Sequence, residues 1–119
     1  MNQDFDYAQA GDYLFFPAIR SDKYGDLVTV FNRSSATQYV SIYRSVQLTS
    51  DPAGTLETPP VEIQPGQNAY TESARWGDYS GEGIDPYDDT TAWVAGEYPT
   101  SCGFLLPSCW GTWVADVTR

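Results

Sequence analysis

The sequence predicts an all-β fold of short antiparallel strands arranged in two repeated units, and three observations carry that reading. Apolar residues alternate with polar ones over runs of five or six residues, and helical spacing is nearly absent. Eight Pro and ten Gly, with Asn, Asp and Ser clusters, cut the chain into short pieces. A set of turn and strand signals also recurs about two thirds of the way along. With 18 aromatic residues (4 Trp, 9 Tyr, 5 Phe) among 119, the composition suits pleated sheet and rules out a disordered segment.

The first unit opens at a Gly11-Asp12-Tyr13 turn and passes through Ala18-Ile19 to an Asp22–Asp26 turn. The strand Leu27–Phe31 follows, then a turn expected at Asn32-Arg33-Ser34-Ser35, then the strand Tyr39–Tyr43. Further turns are expected at Asp51–Gly54 and Gln64–Gln67, with a fourth strand available from Pro60–Ile63 or Gln67–Thr71. The second unit repeats the order. Gly77-Asp78-Tyr79 stands 66 residues after Gly11-Asp12-Tyr13, and Asp85 stands 63 after Asp22. Thr91–Ala95 then matches Leu27–Phe31, and Trp113–Val117 matches Tyr39–Tyr43. Its fourth strand is either missing or supplied from the N-terminus by Asp4–Ala8.

Four short antiparallel strands per repeat are the pattern of a β-propeller blade. The expectation is therefore two four-stranded antiparallel blades in one module spanning 1–119. Blade one covers about 11–72, blade two about 73–119, and a strand at 3–9 is available to complete one of them. Blades bury their faces on neighbouring blades, and propellers have roughly 4–8 of them. Two blades need company, either from a longer parent chain or by oligomerisation. Three or four copies close a homo-oligomeric ring, and a head-to-tail contact that does not close grows a filament.

A net charge of −10, from 16 acidic against 6 basic residues, argues against a nucleic-acid partner, which needs clustered Lys and Arg. No stretch is long and apolar enough to insert in a membrane as a helix, and no basic segment followed by an apolar core opens the chain. Cys102 and Cys109, the two cysteines, are expected to form a disulfide at the base of a loop. That pairing implies an oxidising, extracellular or secreted location, with a leader absent from this chain. Two buried free thiols are the competing reading.

Arg75-Trp76-Gly77-Asp78-Tyr79-Ser80, Asp85-Pro86-Tyr87-Asp88, Trp93, Glu97-Tyr98 and Trp110-Gly111-Thr112 follow one another in the second unit. In this order they resemble the last blades of secreted, sialidase-like (Asp-box, or BNR-type) β-propeller proteins of bacteria. Phe16-Pro17-Ala18-Ile19 and Val30–Ser35 look like the preceding blade, so the resemblance covers most of 11–118. Neither unit keeps the Ser-x-Asp-x-Gly-x-x-Trp order of a strict Asp-box. The resemblance therefore implies the propeller fold more strongly than sialidase chemistry.

A sialidase-type site needs an arginine cluster, a Tyr–Glu nucleophile pair and an acid. Arg33, Arg44 and Arg75, Tyr79 or Tyr98, Glu97 and Asp78 could supply those groups. Sites of that kind draw on several blades, and an Arg75–Asp78 pair and a Glu97-Tyr98 strand end have simpler structural readings, so no catalytic residue is assigned. The absence of His also removes Ser-His-Asp and Cys-His hydrolysis. Asp78, Asp85, Asp88 and Asp89, with Glu82 among them, lie within twelve residues rich in Gly and Ser and are candidate Ca²⁺ ligands. The competing reading is a tight turn in which Asp side chains accept from nearby backbone N–H groups. A glycan site would use Trp76 and Trp110 at turn edges as stacking surfaces, with Arg75, Tyr79, Glu97 and Tyr98 around them. Trp93 and Trp113 are expected in the core. Asn32-Arg33-Ser34 is also an N-glycosylation sequon.

The expectation is thus a non-catalytic extracellular module that self-associates and has a structural or carbohydrate-binding role. The alternatives are a C-terminal fragment of a sialidase-like glycoside hydrolase and a subunit of an extracellular filament.

Overall fold

A computed structural model describes residues 3–103 and 108–118, and among these it contains strands and no helix. Strands β1 (Asp12–Ser21), β2 (Leu27–Ser35), β3 (Gln38–Gln47) and β4 (Val61–Gln64) form one antiparallel sheet in that order. Strands β5 (Gly81–Ile84), β6 (Ala92–Thr100) and β7 (Cys109–Val117) form a second, also in sequence order. The repeat maps element for element, β1-β2-β3 onto β5-β6-β7. Asp22 and Asp85 even do the same work: each accepts from the backbone N–H two residues on, at 2.8 Å. The first sheet takes its fourth strand from the Pro60–Ile63 option. Among the described residues the second has three strands, and the N-terminal segment does not complete it.

That segment lies instead on the first sheet. Gln3 bonds Gln47 at 2.7 Å and Gly54 N at 2.8 Å. The Tyr7 ring meets Phe31 edge-on at 6.0 Å, and its hydroxyl donates to Glu57 O. Ser45 Oγ, on the same face of the sheet, also donates to Glu57 O, at 2.9 Å. Residues 3–9 and the 48–58 loop thereby cover β2 and β3 on the outer face of the first sheet with the chain's own atoms, while Ile19 of β1, on the same face, stays 60% exposed.

The inner faces of the two sheets share one core. Val28 and Val30 of β2, Ile42 of β3, Ala92 and Val94 of β6 and Val117 of β7 are buried together. β2 and β3 pack on β6, and β1 packs on β5. The approach is close enough that a Cβ on Gly96 would sit 3.2–3.3 Å from Ile42 side-chain atoms. Glycine at 96 sets that spacing.

Three expectations are corrected. Asn32–Ser35 is not a turn: β2 runs on through it to Ser35, and the reversal comes at Ala36-Thr37. The polar residues there have partners, since Asn32 is buried and bonded and Arg33 pairs with Asp12 at 2.8 Å. The sequon is closed for the same reason, because an Asn 2% exposed has no path out for a glycan. Trp93 and Trp113 are not core residues; they are 46% and 43% exposed. Trp93 lies on the outer face of the second sheet and Trp113 on its edge strand.

Cys102 and Cys109 are disulfide-bonded, with Cα atoms 5.5 Å apart, at the base of the β6–β7 connection.

Candidate functional site

Between the two units the chain makes a sharp turn at Gly77, whose φ is +47°. A Cβ there would lie 3.3 Å from the Phe16 ring, 3.4 Å from Asn32 Oδ1 and 3.8 Å from Glu97 Oε2. The turn is held from three sides. Glu97 Oε2 accepts from Gly77 N at 3.1 Å, and Ser80 Oγ donates to Phe16 O at 2.7 Å. Phe16 sits in the β1 bulge between Phe15 and Ala18 with a φ of +51°, so the bulge aims its ring at this turn.

Asn32 is the hub beneath. Its Nδ2 donates to Glu97 O at 2.9 Å and to Ser41 O at 3.3 Å, and its Oδ1 accepts from Trp76 Nε1 at 3.3 Å. Tyr70 packs edge-on against the Trp76 ring at 4.9 Å. Trp76 is therefore a fixed wall, held at its ring edge and at its N–H. Arg75 N donates to Ser73 Oγ at 3.0 Å, and the Arg75 guanidinium pairs with Asp78.

These residues enclose an open cleft of about 280 Å³ lined by Tyr70, Ser73, Arg75, Trp76, Gly77, Asp78, Tyr79, Glu97 and Trp110. Trp110, 55% exposed, and Tyr79, 85% exposed, present broad aromatic faces beside it. Five of the six residues expected to bind a ligand (Arg75, Trp76, Tyr79, Glu97 and Trp110) meet here. Tyr98 does not: its ring lies against Gly111 and packs on the core. Sequence reading missed Tyr70, Ser73 and Asn32. The signal for Asn32 was present, as an amide following directly on the apolar run Leu27–Phe31.

The four candidate calcium ligands are not brought together. Asp78 is in the cleft with Arg75, whereas Asp85, Asp88 and Asp89 belong to the turn before β6. Asp85 accepts from Tyr87 N through Oδ1 and from Trp93 Nε1 through Oδ2. Asp88 accepts from Thr90 N, Thr91 N and Thr91 Oγ1. Bonds from the Thr91 and Thr90 backbone hold the Asp88 carboxyl well below the usual carboxylate range. The backbone of Asp88 and Asp89 is tied to Lys23, through Nζ to Asp88 O at 2.7 Å and N to Asp89 O at 3.2 Å. This donor set closes a turn and joins the first hairpins of the two sheets. Among the described residues no three His, Cys, Asp or Glu side chains gather as a metal site would require.

The arginines are dispersed as well. Arg33 pairs with Asp12 and lies over the Tyr43 ring at 4.8 Å, Arg44 pairs with Glu57, and Arg75 alone borders the cleft. Compared with known proteins, the chain matches no family model, no curated protein and no solved structure.

Proposed function

We propose that the chain is a non-catalytic, extracellular carbohydrate-binding module whose two sheets are blades of the propeller type. The observation that carries the reading is the cleft itself. An exposed Trp110 face, a fixed Trp76 wall, one guanidinium and two carboxylates converge there without an arginine cluster or a third acid. Flat indole faces stack on the C–H face of a pyranose, and carboxylates and guanidinium N–H groups bond its hydroxyls. The sheet-by-sheet repeat and the shared inner core support the blade reading, and the Cys102–Cys109 disulfide supports an oxidising compartment.

The test is direct. A panel of immobilised glycans should retain the protein, and Trp110→Ala should abolish retention with the fold intact by circular dichroism. A panel that retains nothing, or retention that survives Trp110→Ala, overturns the proposal.

We further propose that the outer face of the second sheet pairs with the same face of a second copy. Trp93, Ala95 and Val114 share it with Gly81 and Gly83, and the face also carries Glu97 and Asp116, with the Asp85 carboxylate bonded to the Trp93 ring edge. The apolar patch of Trp93, Ala95 and Val114 is the contact two copies can share, with the carboxylates around it and the chain's net charge of −10 opposing association at low salt. The central strands of the first sheet are already covered on their outer face, whereas the central strand of the second is open at Trp93, so the two flanks are unequal where a head-to-tail ring or filament uses both. A face-to-face twofold pair fits that asymmetry.

A further inference from the structure

We infer that the cleft takes a single neutral pyranose and discriminates against anionic sugars; the inference rests on the carbohydrate-binding reading above. Arg75 is the only cation among the lining residues, and its guanidinium is already paired with Asp78. Glu97 adds a second carboxylate, fixed by the Gly77 N–H at 3.1 Å. The lining therefore carries one positive and two negative charges, inside a chain of net charge −10. A sialic acid, uronic acid or sulfated sugar would bring its anion against that field. It would also have to displace Asp78 from Arg75.

A neutral hexose meets no such penalty. Its hydroxyls donate to carboxylates and accept from guanidinium N–H groups, and its apolar face needs only the exposed Trp110 or Tyr79 ring. Size points the same way. At about 280 Å³ the open cleft lies just below the roughly 300–1,000 Å³ typical of small-ligand sites, room within it for one ring.

The experiment compares methyl glucoside with its glucuronide, and methyl galactoside with its galacturonide, each titrated into the whole chain and followed by tryptophan fluorescence and ligand-observed NMR. The expected result is that at least one neutral glycoside binds about tenfold more tightly than its uronide. Asp78→Asn, which removes one negative charge and frees Arg75, should move that ratio toward the uronide by about tenfold. Uronides that bind as well as or better than their neutral partners, with binding still lost in Trp110→Ala, overturn the charge argument and leave the cleft standing. An unchanged ratio in Asp78→Asn, with the fold intact, likewise overturns it. If neither class binds, the cleft reading fails and this inference fails with it.

Discussion

The central strands of the two sheets occupy the same place in the repeat and have opposite surroundings. In β2 the run Val28–Asn32 is buried on both sides, by the second sheet on one and by residues 3–9 and the 48–58 loop on the other. In β6 burial alternates, with Ala92 and Val94 inward and Trp93 open to solvent between them. Two copies of one strand pattern have thus been completed differently, the first by other segments of its own chain and the second, among the described residues, left open at Trp93. A repeat fixes which face points inward. What covers the other face depends on segments outside the repeat.

The largest test concerns what the two sheets have in common. Ile42 is 2% exposed and reaches across to Gly96 of the second sheet. Ile42→Ala should cost about 2–5 kcal/mol, through lost burial and the cavity left behind. All four tryptophans lie at position 76 or beyond, so their fluorescence reports the second half of the chain. If the core is shared, this change in the first sheet moves the urea midpoint seen by tryptophan fluorescence as far as that seen by circular dichroism. Separate midpoints would mean two independently stable halves and would break the comparison.

A second difference lies at the seam between β1 and β5. Glu82 of β5 pairs in register with Val94, so its side chain points inward, and neither carboxylate oxygen has a hydrogen-bond partner among the described residues. Burial pushes this carboxyl up to about 8, against a smaller opposing pull from Arg20. The folded state therefore keeps a proton that the unfolded chain releases near 4.5. Its contribution to stability is full below 4.5 and is lost as pH rises toward about 8. Asp88 has the opposite sign, because its lowered carboxyl stabilises above the unfolded value of 3.8 and stops doing so in acid. Glu82→Leu should remove the decline between 4.5 and 8 and raise stability at pH 8 by about 1–3 kcal/mol, measured by urea melts across that range. A wild-type profile that rises with pH over that window would refute the assignment.

Much of the fold was legible in the sequence because alternation and turn chemistry are local. The strands around Leu27–Phe31, Tyr39–Tyr43, Thr91–Ala95 and Thr112–Val117, the Asp22 and Asp85 turns and the disulfide all followed from neighbours within a few residues. The candidate site was legible in part for the same reason: Arg75–Tyr79 is one turn, and it carries most of the cleft. What stayed hidden was set by long-range partners. Asn32 reads as a turn residue until Glu97 O, 65 residues away, is seen to take its amide. Trp93 reads as core because it is large and mid-strand, yet pairing opposite Gly83 on the outer face of the second sheet leaves it 46% exposed, with Asp85 at its ring edge. The Asp85–Asp89 carboxylates read equally as metal ligands or turn formers. The donors from Tyr87, Thr90, Thr91 and Trp93 bond the Asp85 and Asp88 carboxylates within the turn.

The smallest expected change in stability addresses the open flank. The Trp93 indole donates to Asp85 at 3.0 Å, and Val114 is 59% exposed. Replacing both (Trp93→Ser with Val114→Ser) should lower monomer stability by about 1–2 kcal/mol, through the covered half of the indole and its bond to Asp85. Association should respond far more. Light scattering of the native chain is expected to give the mass of two copies, and the double variant the mass of one. Raising salt should favour the native pair, since it screens repulsion between the acidic bodies and among the face's own carboxylates and leaves the apolar contact untouched. Glycan retention should persist in the variant, because the cleft residues of each copy are unchanged. A native chain that stays a single molecule at every concentration would show that an indole left half bare by its own sheet needs no neighbour here. The contrast between β2 and β6 would then concern burial within one chain and carry no consequence for assembly.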